Sequence, residues 1–207
     1  MKKTMFWKRN TKTIKDTTKQ SIEHRLFFIE RLMGIDWLQK FRTFNLNDFE
    51  VDLSDQKETA QVVFDKIKES IGLKEALIAL DFFWENPVKP KDPFAILKTA
   101  DLFKNETLTI GKYREDKVSY IISIKMLVLR NHNLLIFTIA HELAHYILQG
   151  QKQLFFNDEK LTDLLVLAMG FESFWCELHT HKKENKVTSI GYLSKGEGMY
   201  ALACLQH

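Results

Sequence analysis

Residues 134–148 read LLIFTIAHELAHYIL, fifteen positions with one acid and no Lys or Arg. The run follows Asn131-His132-Asn133 and ends two residues before Gly150, so Asn133 is expected to cap a helix from Leu134 to about Leu148 that Gly150 closes. A helix apolar on every face is buried on every face, which puts this segment at the centre of the fold. Its histidines, His141 and His145, stand at i and i+4, so their imidazoles leave the same face one turn apart and can converge on one ion. Glu142 lies three residues before His145, flanks that face and can serve as a base. Thr138-Ile139-Ala140, Leu143-Ala144 and Tyr146-Ile147 keep every neighbour uncharged. An amphipathic surface helix with two chance histidines would carry charges at several of those positions.

A catalytic zinc takes three protein ligands and keeps a fourth position open. The extended pattern HExxHxxGxxH would supply the third locally, but position 148 is Leu and position 151 is Gln, which excludes the metzincin arrangement. Beyond His145 the chain reads Asn157-Asp158-Glu159-Lys160-Leu161-Thr162-Asp163, with Glu159 fourteen residues after His145 and sharing one helix face with Asp163 at i and i+4. Acids in a first helical turn also suit the helix dipole without any metal. As the third ligand, Asp158 and Asp163 stand beside Glu159 as alternatives.

HExxH on one helix and ExxxD on the next resembles the thermolysin-type gluzincins. The resemblance implies that Glu159 binds zinc and that Asp163 hydrogen-bonds the far ring nitrogen of His141, fixing its tautomer. This chain departs from those enzymes in its shorter ligand spacing and in being too small for their two-domain cleft. It is also similar to small bacterial proteins with an AHELAH helix, an LTDL helix and a GYLS segment, here Ala140–His145, Leu161–Leu164 and Gly191-Tyr192-Leu193-Ser194. Those in turn resemble minimal zincin domains of the ImmA/IrrE type, a likeness covering residues 107–205. It implies a zinc metallopeptidase acting on a peptide or protein substrate, with Glu142 as base and Zn2+ held by His141, His145 and Glu159. Tyr192, Tyr200 and His179 are candidate donors to the oxyanion. A non-catalytic or partner-gated zinc-binding regulatory module is the alternative, because the ligands can be intact without a substrate cleft.

Working outward, Ile22, Leu26, Ile29, Leu32 and Met33 mark an amphipathic helix from Ser21 to about Gln39. Residues 41–53 look irregular. A second helix is expected after Ser54 or Asp55, burying Val62, Val63, Ile67 and Ile71 and stopping near Gly72, with Lys74–Trp84 as a third. All three prolines fall within Pro87–Pro93, which places a boundary there. A short helix around Phe94–Phe103 should follow, and then a β-hairpin of Thr107–Tyr113 and Val118–Leu129 turning through Arg114–Lys117. Val118–Ile124 reads equally as an edge strand on which a substrate peptide could add and as a strand paired on both sides inside the sheet. Leu164, Leu165, Ala168, Phe171 and Trp175 continue the second ligand helix as core. His179 and His181 fall in an expected surface loop, and Ser194 with Glu197 reads as a capping box opening a last helix that packs under the active-site helix. Phe82-Phe83-Trp84 and Phe155-Phe156 are expected in the core.

The expected organisation is a basic flexible tail over 1–20, a helical extension over 21–93 and a zincin-like core over 94–207. The fold class is α+β, mainly helical with a small sheet beside the active-site helix; 8 Gly and 3 Pro in 207 residues disfavour a turn-rich β-sandwich. The first twenty residues hold seven Lys or Arg against Asp16, leaving the rest of the chain slightly acidic, which argues against a nucleic-acid adaptor. No apolar segment approaches a membrane span or a signal h-region, and Cys176 and Cys204 form no CxxC. A cytoplasmic enzyme without membrane or nucleic-acid partners is the expectation.

Overall fold

The computed structural model describes residues 14–49, 51, 55–84, 111–115, 120–180 and 191–205. In chain order the elements are α1 (Asp16–Met33), α2 (Ile35–Leu38), α3 (Gln56–Ser70), β1 (Ile78–Phe83), β2 (Gly111–Glu115), β3 (Tyr120–Lys125), α4 (His132–His145), α5 (Glu159–Val166), α6 (Glu172–Thr180) and α7 (Lys195–Leu205). This is a mainly helical α+β fold with a small sheet. No helix among the described residues is long and apolar enough to cross a membrane.

α4 is the hub, as its all-round apolar sequence requires. Every residue from Leu135 to His145 is buried, and α3, α5, α6, β2 and β3 pack around it. Its cap is Asn131, whose side chain accepts from Leu134 N at 3.0 Å, two residues earlier than the expected Asn133. Beyond His145 the backbone widens into a π-helical turn over Tyr146–Gln151.

The sheet has the order β1-β3-β2, with β1 parallel and β2 antiparallel to β3. Ile122 and Ile124 of β3 are fully buried, and Tyr120 meets Tyr146 edge-to-face at 4.7 Å, joining the sheet to the end of α4. The hairpin of β2 and β3 forms, but Arg114 and Glu115 belong to the strand and not to the turn. Since β3 is paired on both sides, Tyr120–Ile124 is not an edge but lies inside the sheet; among the described residues the edges are β1 and β2.

β1 also corrects the helix expected over Lys74–Trp84. Ile78, Leu80 and Phe82 alternate with the exposed Ala79 and Asp81, which is period two, and the parallel partner that fixes them lies beyond residue 119. The 21–93 region is therefore not a purely helical extension, because it supplies a strand to the sheet and residues of α1 and α3 to the same core as α4. Helix α1 begins at Asp16, so the last part of the expected tail is helical, and it ends at Gly34 (φ 84°) instead of running to Gln39. The tail to residue 13, the Phe94–Phe103 helix and the Pro87–Pro93 boundary lie outside the described residues.

Asp55 caps α3, accepting from Lys57 N and Glu58 N; Val63, Ile67 and Ile71 are buried as expected, whereas Val62 faces solvent. The helix carrying Glu159 does not run unbroken to Trp175. At Gly170 (φ 90°) the chain turns, and a Cβ there would sit 2.1 Å from the carbonyl oxygen of Arg42, so only glycine fits. Phe44 N donates to Gly170 O at 2.8 Å, and Phe44 and Phe49 pack on Phe171 and Phe174, locking the kink against the 41–49 loop. Phe155, Phe156 and Trp84 are exposed, against the core expectation. The capping box forms, with Ser194 N donating to Glu197 Oε2 at 2.8 Å and Glu197 N reaching Ser194 Oγ at 3.4 Å. α7 then lies against α1, with Gly198 pressed to the Trp175 ring, and not under α4.

Candidate metal centre

The last turn of α4 and the first turn of α5 face each other. His141 Nε2 and His145 Nε2 are 3.1 Å apart, and Glu159 Oε2 lies 3.2 Å from the first and 3.1 Å from the second. Two ring nitrogens and a carboxylate oxygen thus make a nearly equilateral triangle. Tetrahedral bonds of about 2.0–2.1 Å to one ion subtend edges of roughly 3.3 Å, so the donor set fits a zinc with its fourth position free. These three residues form the metal-competent cluster among the described residues.

Each ligand is held from behind. Asp163 is completely buried and its Oδ1 accepts from His141 Nδ1 at 2.9 Å, so that whenever the ring is neutral its Nε2 lone pair faces the cluster. Its other oxygen accepts from Tyr192 N at 2.5 Å and Leu193 N at 3.1 Å. Gly191, at φ 78°, lets that segment close in: a Cβ there would lie 2.7 Å from Asp163 Oδ2. Thr162 Oγ1, 3.5 Å from His145 Nδ1, donates to Asp158 O at 3.2 Å. Asn157 Nδ2 donates to Glu159 Oε1 at 2.8 Å, turning Oε2 toward the histidines. Gln149 Nε2 in turn bonds Asn157 Oδ1 at 3.3 Å.

Without a metal, burial and hydrogen bonds within the cluster shift the pKa values of its members. Burial pulls the His141 pKa down, but hydrogen bonds to Asp163 and Glu159 outweigh it and raise the value to about 10. Burial pushes Glu159 up, and His141, His145 and Asn157 overcome that and hold it well below the usual carboxylate range. Glu142, 5% exposed, is pushed up by burial despite its histidine neighbours. A cation at the centre of the triangle would pair with the Glu159 carboxylate and would have to displace the His141 proton.

Sequence reasoning names His141, Glu142, His145, Glu159 and Asp163, and the fold brings the two histidines, Glu159 and Asp163 together. Neither Asp158 nor Asp163 takes the third-ligand position: Asp158 caps α5 and Asp163 is bonded away behind His141. The three oxyanion candidates separate. Tyr192 stacks on the His141 ring at 6.0 Å, and burial together with Glu159, Asp163 and Glu142 raises its hydroxyl pKa. The Tyr200 hydroxyl instead donates to Glu23 on α1. His179 sits on α6, not in a surface loop, stacked on Trp175, with Nδ1 donating to Trp175 O at 2.8 Å. A carbonyl only accepts, so Nδ1 carries the proton, and with its pKa lowered by burial the ring has no hydrogen on Nε2 to give. His181 lies outside the described residues.

Asn157, Thr162 and the 191–193 backbone are additions to the sequence-level set. Asn157 and Thr162 look like ordinary helix-start residues, and nothing in their spacing distinguishes a ligand clamp from a cap. No family profile, curated protein or solved structure matches the chain.

Proposed function

We propose that the protein is a zinc-dependent peptidase of the zincin kind. The observation that carries this is the triangle of His141 Nε2, His145 Nε2 and Glu159 Oε2, with Asp163 fixing the His141 tautomer and Glu142 next to the first ligand. His141, His145 and Glu159 would hold the ion. Zinc bound there supplies Lewis acidity to a peptide carbonyl and to a water. Glu142, whose pKa burial raises toward the working range of a general base, takes a proton from the attacking water and returns it to the leaving amine. The hydroxyl of Tyr192 is the donor assigned to the carbonyl oxygen as it gains charge.

One observation favours the second reading, a zinc-binding regulatory module gated by a partner. His141, Glu142 and His145 are all at most 9% exposed. Residues this buried can hold a metal without offering a substrate much surface. The two readings part on turnover: zinc-loaded protein incubated with a mixture of unstructured peptides should yield new termini by mass spectrometry, none after chelation and none with Glu142→Gln. Zinc binding without any cleavage would favour the regulatory module.

A further inference from the structure

Asp158, the residue before Glu159, makes two bonds at once. Its Oδ1 accepts from Leu161 N at 3.1 Å and so caps α5. Its Oδ2 accepts from Arg25 Nε at 2.8 Å, across 133 residues of sequence. Arg25 is tied back to its own helix, with Nη1 donating to Ser21 O at 3.1 Å and to Ser21 Oγ. The planar guanidinium is thereby a bracket between α1 and the first turn of α5. Only one peptide link separates Asp158 from Glu159, and the extended backbone at Asp158 (φ −125°, ψ 96°) sets where the Glu159 side chain departs.

Arg25 and Asp158 are partly exposed, with side chains at 29% and 25%, on a cleft they share with His24, Phe28 and Phe156. Ion pairs this accessible contribute little to stability, and shortening Arg25 opens space onto the cleft without leaving a core cavity. What the pair does is tie α1 to the residue that precedes Glu159. We propose that Arg25 is a positioning residue for the third metal ligand, holding Asp158 so that Glu159 Oε2 meets both histidines. The proposal rests on the zinc reading of the site, and it gives α1 a task in the chemistry.

The test uses the full chain and measures zinc affinity by chelator competition, with cobalt(II) as a visible-absorption probe of ligand geometry. Arg25→Gln should weaken zinc by about tenfold, the low end for a residue supporting a ligand, and change the cobalt bands. Asp158→Asn keeps a capping oxygen but loses the ion pair, so it should match Arg25→Gln. The double variant should be no worse than either single one, and Arg25→Lys should recover part of the affinity. A merely structural role would move the melting temperature and leave the cobalt spectrum alone. Unchanged affinity and bands in folded Arg25→Gln, or additive losses in the double variant, overturn the proposal while the zinc reading stands. If Arg25→Gln does not fold, unchanged zinc affinity in Asp158→Asn overturns it instead. A wild-type protein that binds no zinc overturns both.

Discussion

Glu142 at the end of α4 and Glu159 at the start of α5 share the same two imidazoles as neighbours and are driven in opposite directions. Burial raises both. The histidines give Glu142 only their charge, which is not enough, and its pKa ends up raised. They give Glu159 hydrogen bonds, Asn157 adds another, and its pKa ends well below the ordinary range. Two carboxyls pushed apart by their surroundings are the usual mark of divided labour, one kept ionised as a ligand and one kept basic enough to move protons. Glu142 is 5% exposed and has burial as its largest cause, whereas the Glu159 side chain is 26% exposed and hydrogen-bonded, so depth and hydrogen bonding together set the two apart.

Exchanging the two roles by substitution should break this pairing most visibly. Glu142→Gln should lower kcat by roughly 10²- to 10⁴-fold, the range for a lost general base, with zinc content unchanged. Glu159→Gln should strip the metal, weakening zinc by more than the roughly 100-fold typical of outer partners. Equilibrium dialysis alongside peptide cleavage separates the two; an equal loss of zinc in both variants would erase the distinction between them.

Asp163→Asn is the next largest effect. Its two oxygens accept on opposite sides, from His141 and from the Tyr192 and Leu193 amides, and an amide side chain must turn its NH2 toward one of them. Zinc should weaken by about 10- to 100-fold. An unchanged dissociation constant would show that the buried carboxylate serves only the 191–193 loop.

A pH slope sharpens the contrast between metal-free and metal-loaded protein. In the metal-free state the His141 pKa is raised from 6.5 to about 10. The stability its proton confers is thus fully present below pH 6.5 and is lost as pH rises through 10. Zinc needs the neutral ring, so in the same window its affinity should rise by about tenfold per pH unit as one proton is displaced. Thermal melts from pH 7 to 9 should fall for the metal-free protein, while chelator competition shows tightening; parallel slopes would place the proton elsewhere.

How much of this was legible depended on whether the deciding contacts were local. α4 and the histidines of the cluster could be read because fifteen positions without Lys or Arg state burial, and the i, i+4 spacing puts both rings on one face. Its cap slipped by two because Asn131 and Asn133 are chemically equal candidates and only the backbone chooses. β1 was missed although Ile78, Leu80 and Phe82 alternate, since the partner that makes a parallel strand lies far along the chain. The same reason hides β3's second neighbour, which puts that strand at the centre of the sheet. Phe155 and Phe156 look like core by composition, yet they sit on the exposed loop that precedes Glu159, where the Phe156 ring lies 6.4 Å from that of Phe28. Arg25 carries no signal at all in sequence, being one basic residue on an amphipathic helix.

The central claim is that α4 and α5 together make one zinc site, and metal stoichiometry tests it most directly. Protein stripped with chelator, reloaded with zinc and freed of excess should hold about one zinc per chain by elemental analysis. His141→Ala, His145→Ala and Glu159→Ala should each hold essentially none, and Glu142→Gln about one. A wild-type chain that retains no zinc after this treatment, or a Glu159→Ala variant that retains it at full affinity, would contradict the account.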